Sequence, residues 1–462
     1  MAYDLIVIGA GAAGEAAATL GAELGANVAV IERDLIGGEC AFWACMPSKV
    51  LLDSAHRRAT DGAYSWQRAS ARRDWMITRE GTQYPSDANH VRWLEGLGTK
   101  VIRGRARITA PGRVGVEFNG SRRQELEARN LIVAIGSTSS IPKVEGLMEA
   151  GFWTHRDATS TRELPASVVL LGAGPVGVEL AQIYVRFGVA VVLVQSADRI
   201  LSNDHPRSSE IIRQQLVEEG VEIRAGVKAT RVNRGGLGRR VELSDGSIVE
   251  GEVLIVATGR RPADLRELGV ESAGVALDRE GRPTLDHQMK AGEGLYVAGD
   301  AAGGLQFTHL ADYQGRVAAG AALGLPARAD LSSIPRTTLT YPETAAVGLS
   351  LQEAQAAGVD AFEVTQDFAA TSRGQTIEPI RRSADAILEG TRGHLTAVID
   401  RERGVLAGAF AACPAAGELI HEAVLAMRLS APVAVLADTI HAFPTGARAF
   451  GNLMAEAAKQ LQ

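Results

Sequence analysis

Leu5-Ile-Val-Ile-Gly-Ala-Gly-Ala-Ala-Gly14 is an apolar strand running into a glycine turn, and Val168-Val-Leu-Leu-Gly-Ala-Gly-Pro-Val-Gly177 repeats it. After each turn comes a helical stretch closed by Gly25 or Gly188, then a second apolar strand ending at Glu32 or Gln195. The two copies have the same length from first glycine to last strand residue. One glycine pattern of this kind is weak evidence, but two in matched strand–turn–helix–strand frames predict two dinucleotide-binding units. The glycines permit the tight turn, backbone approach to a pyrophosphate, and close packing of helix on strand. The helix start then offers unpaired N–H groups and a positive dipole to phosphate.

The strand ends differ. Glu32 is placed to accept hydrogen bonds from a ribose hydroxyl, with Arg33 beside it. Gln195 is neutral, so the second unit lacks the carboxylate that would favour NADH and repel a 2′-phosphate. Ser196 and Arg199 could tolerate that phosphate, which tilts the expectation to NADPH while leaving NADH open. Two further apolar strands close on a small residue and glycine, Leu131-Ile-Val-Ala134-Ile-Gly136 and Leu254-Ile-Val-Ala-Thr-Gly259. A third ends at Gly299-Asp300. An acid there suits a ribityl hydroxyl, or an N-cap for the helix near Leu310.

Between the first fingerprint and the rest lies Gly37-Gly38-Glu-Cys40-Ala-Phe42-Trp43-Ala-Cys45-Met-Pro-Ser-Lys49. The chain has only 3 Cys in 462 residues, so structural bridging is the weaker reading and a redox pair the stronger expectation, with two inert thiols as the alternative. Cys413 stands alone and reads as a small buried hydrophobe. The 51 Gly fit an α/β protein with many strand-to-helix turns, and a net charge of -6 carries no nucleic-acid footprint. An arginine-rich stretch, Arg57 to Arg107, also holds Trp66, Trp75 and Trp93 and reads as a solvated helical surface over an apolar floor. No apolar run is long enough to span a bilayer and no signal peptide opens the chain, so a cytoplasmic protein is expected.

Taken together, these segments resemble the flavoprotein disulfide reductases, the family of dihydrolipoamide dehydrogenase, glutathione reductase and mercuric reductase. Gly9, Gly11, Ala12, Ala13 and Gly14 with Glu32 match its FAD fingerprint. Cys40 and Cys45 with Pro47-Ser-Lys49 match its redox segment, Gly172, Gly174 and Gly177 its NAD(P) fingerprint, and Asp300 its second flavin motif. The resemblance implies two Rossmann-like dinucleotide-binding domains plus an α+β C-terminal dimerisation domain. The FAD domain would be 1–149 with 275–330, the NAD(P) domain 150–274 and the interface domain 331–462. It also implies a homodimer with shared active sites, using FAD with NADPH or NADH to reduce a small-molecule electron acceptor. Cys45 would face the flavin, Cys40 the substrate, and Lys49 would point to flavin N5, paired with Glu179.

The chain departs from that pattern near its C-terminus. The family's His-Pro-Thr-x-x-Glu acid/base segment reads His441-Ala-Phe443-Pro-Thr-Gly-Ala-Arg448 here. Phenylalanine holds the position of the catalytic histidine and arginine that of the orienting glutamate. Classical lipoamide or glutathione reduction should therefore be crippled, because general acid/base help is worth ~10²–10⁴ in rate. Phe443, with Phe42 or Trp43, would form an apolar mouth, with Arg448 as a nearby cation; His441 is a further pocket candidate, but the family often has a His there too, so it does not replace the missing base. The acceptor is expected to be a small disulfide or other thiol-reactive species, since both cysteines remain, or a quinone, dye or metal ion. A low-turnover redox sensor and a dihydrolipoamide dehydrogenase with unusual acid/base residues are the alternatives. No terminal thiol pair follows Cys413, which argues against mercuric reductase and large thioredoxin reductase chemistry.

Overall fold

The computed structural model describes residues 2–78, 85–118, 122–236, 238–378 and 391–462. Part of the arginine-rich stretch (79–84) and part of the expected interface domain (379–390) lie outside the described residues. The fold is α/β, as expected, and the chain divides into two compact units. One comprises Met1–Ser48, Ala71–Ser140 and Gly259–Asp330; the other comprises Lys49–Ser70, Ile141–Thr258 and Leu331–Gln462.

The first unit is organised by a parallel sheet. Tyr3–Ile8 lies between Arg122–Val133 and Val28–Glu32; Leu295–Val297 and Lys100–Arg103 continue the sheet on either side. Leu5, Ile6, Val7 and Ile8 are all buried, which is why this strand reads as an unbroken apolar run: Leu5 and Val7 pack with helix residues Ala13, Ala17 and Val317, and Ile6 and Ile8 with strand and turn residues Ile108, Val114, Val116 and Leu265. An antiparallel pair, Arg105–Ala110 and Arg113–Phe118, extends from Arg122–Val133.

The second unit repeats the parallel motif as Glu222–Ala225, Ala190–Gln195, Ser167–Leu171 and Val253–Val256. It adds a three-stranded antiparallel sheet over Ala229–Gly251 and a five-stranded one. The latter runs Arg336–Thr338, Glu343–Gly348, Val405–Cys413, His394–Asp400, Ala361–Asp367. Helices Ala416–Arg428 and Gly446–Gln460 bury Ile420, Phe450, Leu453 and Met454 against Leu395, Ala397 and Ile399. Cys413 joins that core, and burial pushes its thiol well above the usual range. Trp66 is buried against Tyr184 and Phe187, whereas Trp75 and Trp93 are exposed. Among the described residues, no helix is long and apolar enough to cross a membrane.

Candidate functional site

In both fingerprint turns the three glycines divide their duties identically. Gly9 and Gly172 have φ of +95° and +101°, and a Cβ on either would lie 2.4 Å from the carbonyl oxygen of Ala134 or Ala257. A Cβ on Gly14 or Gly177 would lie 1.9 Å from the carbonyl oxygen of the first glycine. Packing within the protein therefore demands both. The middle residues, Gly11 and Gly174, would meet nothing within 4 Å. Each is the N-cap of its helix, Ala12–Glu23 or Pro175–Arg186, and supplies no side-chain cap. A bare, donor-rich helix start beside open space fits a pyrophosphate in both turns.

Glu32 is fixed by two backbone donors: Oε2 accepts from Ala10 N–H (2.8 Å) and Oε1 from Asp34 N–H (2.7 Å). Gln195 Oε1 accepts from Ala173 N–H (3.1 Å), so the amide reproduces half of that arrangement without charge. Arg33 and Ser196 are exposed. Arg199 departs from expectation, because its guanidinium is spent on the carbonyls of Leu201, Ser202 and Asp204 and braces its own loop.

Asp300 lies in a 3₁₀ turn, Gly299–Ala302, and accepts a hydrogen bond from the Ser137 hydroxyl. It is not the N-cap of the next helix, Thr308–Ala322; Phe307 holds that position. Arg260 donates to Ser137 Oγ and O (2.8 Å each) and stands 3.9 Å from both Asp300 and Glu39. Gly136 and Gly259, with φ of +73° and +112°, precede these two residues. Ser137 and Arg260 escaped the sequence reading, although each directly follows one of the repeated small-residue–glycine turns.

The redox segment presses against the first cradle. A Cβ on Gly38 would lie 2.8 Å from Gly11 Cα. Cys40 sits in the short helix Gly38–Phe42, and Cys45 opens the helix Cys45–Asp61; both are half-buried. Cys45 Sγ is 3.2 Å from Thr308 Oγ1. One turn along, Lys49 Nζ donates to both oxygens of Glu179, at 2.8 and 3.1 Å. Glu179 is buried and also accepts from Leu339 N–H (2.9 Å). Phe42, expected at an apolar mouth, is instead fully buried, turned toward His90 at 5.5 Å between ring centres. Trp43 is half-buried.

In the C-terminal segment, Phe443 is 72% exposed and Arg448 is also exposed. His441, a pocket candidate from the sequence, is turned inward. Its side chain is 5% exposed, its Nε2 pairs with Glu422 at 2.8 Å, and its Nδ1 packs where a Cβ on Gly451 would lie 2.5 Å away. The ring is wedged against helix Gly446–Gln460, so the segment shows an aromatic ring outward and no imidazole.

Residues 3–315 match the family described as pyridine nucleotide-disulphide oxidoreductase, and residues 334–454 match its dimerisation domain. The chain belongs to this family. Its members use FAD and NAD(P)H, and this protein is a flavoprotein oxidoreductase of that kind. It is 33% identical to dihydrolipoyl dehydrogenase from Thermus scotoductus, over 96% of this chain and 95% of that one. Against mercuric reductase from Staphylococcus aureus the identity is 28%, over 96% and 80%. The Cu(II) complex of the HOCl-induced flavoprotein disulfide reductase RclA from Escherichia coli superposes with a TM-score of 0.87 at 25% identity, covering 99% of each chain. In this oxidoreductase, therefore, both cysteines of the redox segment are retained while the outward face of the C-terminal segment carries Phe443.

Proposed function

We propose that this oxidoreductase passes electrons from NAD(P)H to an acceptor other than a lipoamide or glutathione disulfide, with a metal ion as the favoured class and a quinone or dye next. Phe443 carries the assignment: a phenyl ring delivers no proton, and the nearest imidazole, His441, is sequestered with Glu422. Splitting a disulfide substrate leaves thiolates that must be protonated, so it needs a proton carrier. Reducing a metal ion needs none.

Bound FAD supplies the two-electron relay between nicotinamide and the thiol pair or the acceptor itself. The open turns at Gly11 and Gly174 would hold the pyrophosphates, and Glu32 a ribose. Asp300, braced by Ser137 and Arg260, would hold a ribityl hydroxyl. Lys49, neutralised by Glu179, would set a positive charge at the flavin, with Cys45 facing the ring and Cys40 facing the acceptor. Oxidation of the two thiols to a disulfide releases two electrons and two protons. The electrons reduce one divalent ion by two or two ions by one each, and the protons leave to water. Among the described residues no three His, Cys, Asp or Glu side chains form a metal cage, so the ion would meet the thiols as a substrate. The Cu(II)-complexed structural relative lends support to this class.

The protein would act as a cytoplasmic homodimer with shared sites. Leu425, Leu429, Ile440 and Phe443 are 60–95% exposed and would be covered by a second copy, bringing Phe443 and Arg448 of one subunit to the other's Cys40. The FAD, NAD(P) and interface domains would be 1–149 with 275–330, 150–274 and 331–462.

A panel of Cu(II), Hg(II), benzoquinone, oxidised lipoamide and oxidised glutathione under each nucleotide tests this. The metal ions should turn over on the order of 100-fold faster than lipoamide, within the range that loss of acid/base help allows. Cys40→Ser should abolish the metal reaction if it runs through the thiols and spare it if flavin acts directly. Lipoamide turnover as fast as that of any metal ion or quinone would overturn the proposal, and no turnover with any acceptor would favour the redox sensor.

Gln195 also makes a prediction about the nucleotide. Its amide oxygen is held by Ala173 N–H, leaving the neutral NH₂ donor to face a ribose or its phosphate. Gln195→Glu restores a carboxylate and should cut kcat/KM for NADPH roughly tenfold relative to NADH, a like-charge cost of about 1.4 kcal/mol near a protein surface. Steady-state kinetics with both nucleotides reads this directly.

A further inference from the structure

We propose that Glu15 and His90 together set how tightly the protein holds FAD: a carboxylate built beside the first cradle is masked by an imidazolium, and affinity falls when that imidazole loses its proton, given the placement of the FAD pyrophosphate in the first fingerprint turn. Glu15 follows Gly11 by one helical turn, and its N–H donates to the Gly11 carbonyl at 2.9 Å. Side chains on a helix lean toward its N-terminus, so this carboxylate leans toward the open donors of the cradle. Unmasked, its charge opposes a pyrophosphate there. The second fingerprint copies the first in its glycine contacts but has Val178 at the equivalent place, one turn after Gly174, with its side chain buried. The carboxylate is therefore no requirement of the turn.

His90 answers that charge. Its Nδ1 lies 2.7 Å from Glu15 Oε1. Helix Ala88–Gly96 brings the ring there, and the thiol segment closes over it. Phe42 packs on the ring, and a Cβ on Gly37 would lie 3.0 Å from His90 Cε1. The side chains of His90 and Glu15 are only 32% and 22% exposed, so water screens the pair weakly. The bond to Glu15 holds the imidazole above the ordinary histidine value of 6.5 despite burial, which acts the other way. Asp87, at the head of the same helix, adds to the rise. Its carboxylate is itself engaged by Arg103 and by Ile36 N–H (2.8 Å), and the thiol segment meets the ring only with uncharged Phe42 and Gly37.

Charge counting fixes the direction. With His90 protonated the pair is neutral toward the cofactor. With His90 neutral it presents one negative charge to an anionic pyrophosphate. FAD binding and proton uptake by His90 therefore favour each other, and affinity is lost as pH rises through the imidazole's raised midpoint.

Holoenzyme diluted in steps at fixed ionic strength, with released FAD read by its fluorescence, gives Kd. Between about pH 6 and about pH 9 the parent's Kd should rise roughly tenfold, the effect of one partly screened charge. His90→Gln keeps a donor for Glu15 but no charge, and its Kd should match the parent's high-pH value throughout. Glu15→Gln should bind as tightly as the parent at low pH, with the rise removed. The double variant should bind like Glu15→Gln, because without the carboxylate there is nothing to mask. If His90 merely ties two helices together, the double variant binds as weakly as His90→Gln, and the proposal is overturned. A parent Kd that ignores pH, or a Glu15→Gln variant that keeps the rise, overturns it as well. Gly11→Asp tests the placement of the cofactor. That side chain meets open space in the protein and suits an N-cap, but it would occupy the pyrophosphate's position. Unweakened FAD binding in Gly11→Asp overturns the placement rather than the role of the pair.

Discussion

Phe443→His combined with Arg448→Glu is expected to raise turnover of oxidised lipoamide by about 10²–10⁴, the span that a positioned acid/base contributes. Within its own chain the Phe443 side chain is exposed, so substitution removes little intrachain packing. The backbone around it is set by other groups: Thr445 Oγ1 bonds the Ala442 carbonyl and receives Arg448 N–H at 3.1 Å, capping helix Gly446–Gln460. An imidazole would inherit that geometry. A glutamate at 448 falls in the first turn of the helix, where a carboxylate is favoured by the dipole, and it can orient the ring and stabilise its charged form. The single Phe443→His variant should recover only part of the gain, since an unoriented imidazole samples the wrong tautomer and rotamer. A second signature accompanies the rate. The gained activity should acquire an acid limb near the ordinary imidazole range, about pH 6.5, that the parent lacks. Lipoamide kinetics of parent, single and double variants across pH would measure both. If the double variant gains nothing, the missing proton carrier is not what excludes disulfides, and the choice of a metal acceptor loses its main support.

Much of the chain was legible in its sequence, and the division between what was and was not follows a physical line. Features encoded by backbone demands were read correctly. The paired glycine turns could be recognised because first and third glycines answer steric contacts within a few residues of sequence or on the adjacent strand. Lys49 and Glu179, by contrast, were implied by the family resemblance, and their ion pair joins residues 130 apart that no local pattern connects. What stayed hidden depended on which way a side chain turns between elements distant in sequence. Phe42 belongs to the thiol segment but rotates inward to His90. His441 is next to the site in sequence yet is captured by Glu422 on a neighbouring helix. Arg199 carries charge at the right strand end but spends it on three carbonyls of the following loop. Thr308 touches Cys45 across 263 residues of chain, and no local pattern connects a helix-opening threonine to a remote thiol.

His394 was not singled out by any motif, yet it should dominate the acid sensitivity of the second unit. Its ring is buried beside His205, with ring centres 5.2 Å apart. Nε2 bonds Ser208 Oγ (2.8 Å) and Nδ1 bonds Thr396 Oγ1 (2.9 Å), so both nitrogens are already satisfied by hydroxyls. Burial first, then the neighbouring His205 and Arg207, push its pKa down from the ordinary histidine value of 6.5 to about 3. The unfolded chain takes up this proton below about pH 6.5 and the native chain does not until about pH 3. Stability is therefore lost as pH falls through that window, reaching about 5 kcal/mol at its lower end, at about 1.4 kcal/mol per unit. Glu363, held low by its bond to His205, loses stability in the same direction. Asp204 and Glu343, both raised chiefly by burial, bind protons more readily in the native state and act in the opposite direction. These partly cancelling groups make a bare pH–stability curve ambiguous, but a comparison with His394→Gln isolates the histidine. The glutamine keeps an amide donor and acceptor for Ser208 and Thr396 and cannot charge. Its thermal midpoint should lie at or below that of the parent at pH 7.5, and the parent's should fall faster between pH 6.5 and 4, so that the two curves converge or cross. Scanning calorimetry on both proteins at half-unit intervals measures this, and parallel curves across the window would show that the buried ring is protonated without cost.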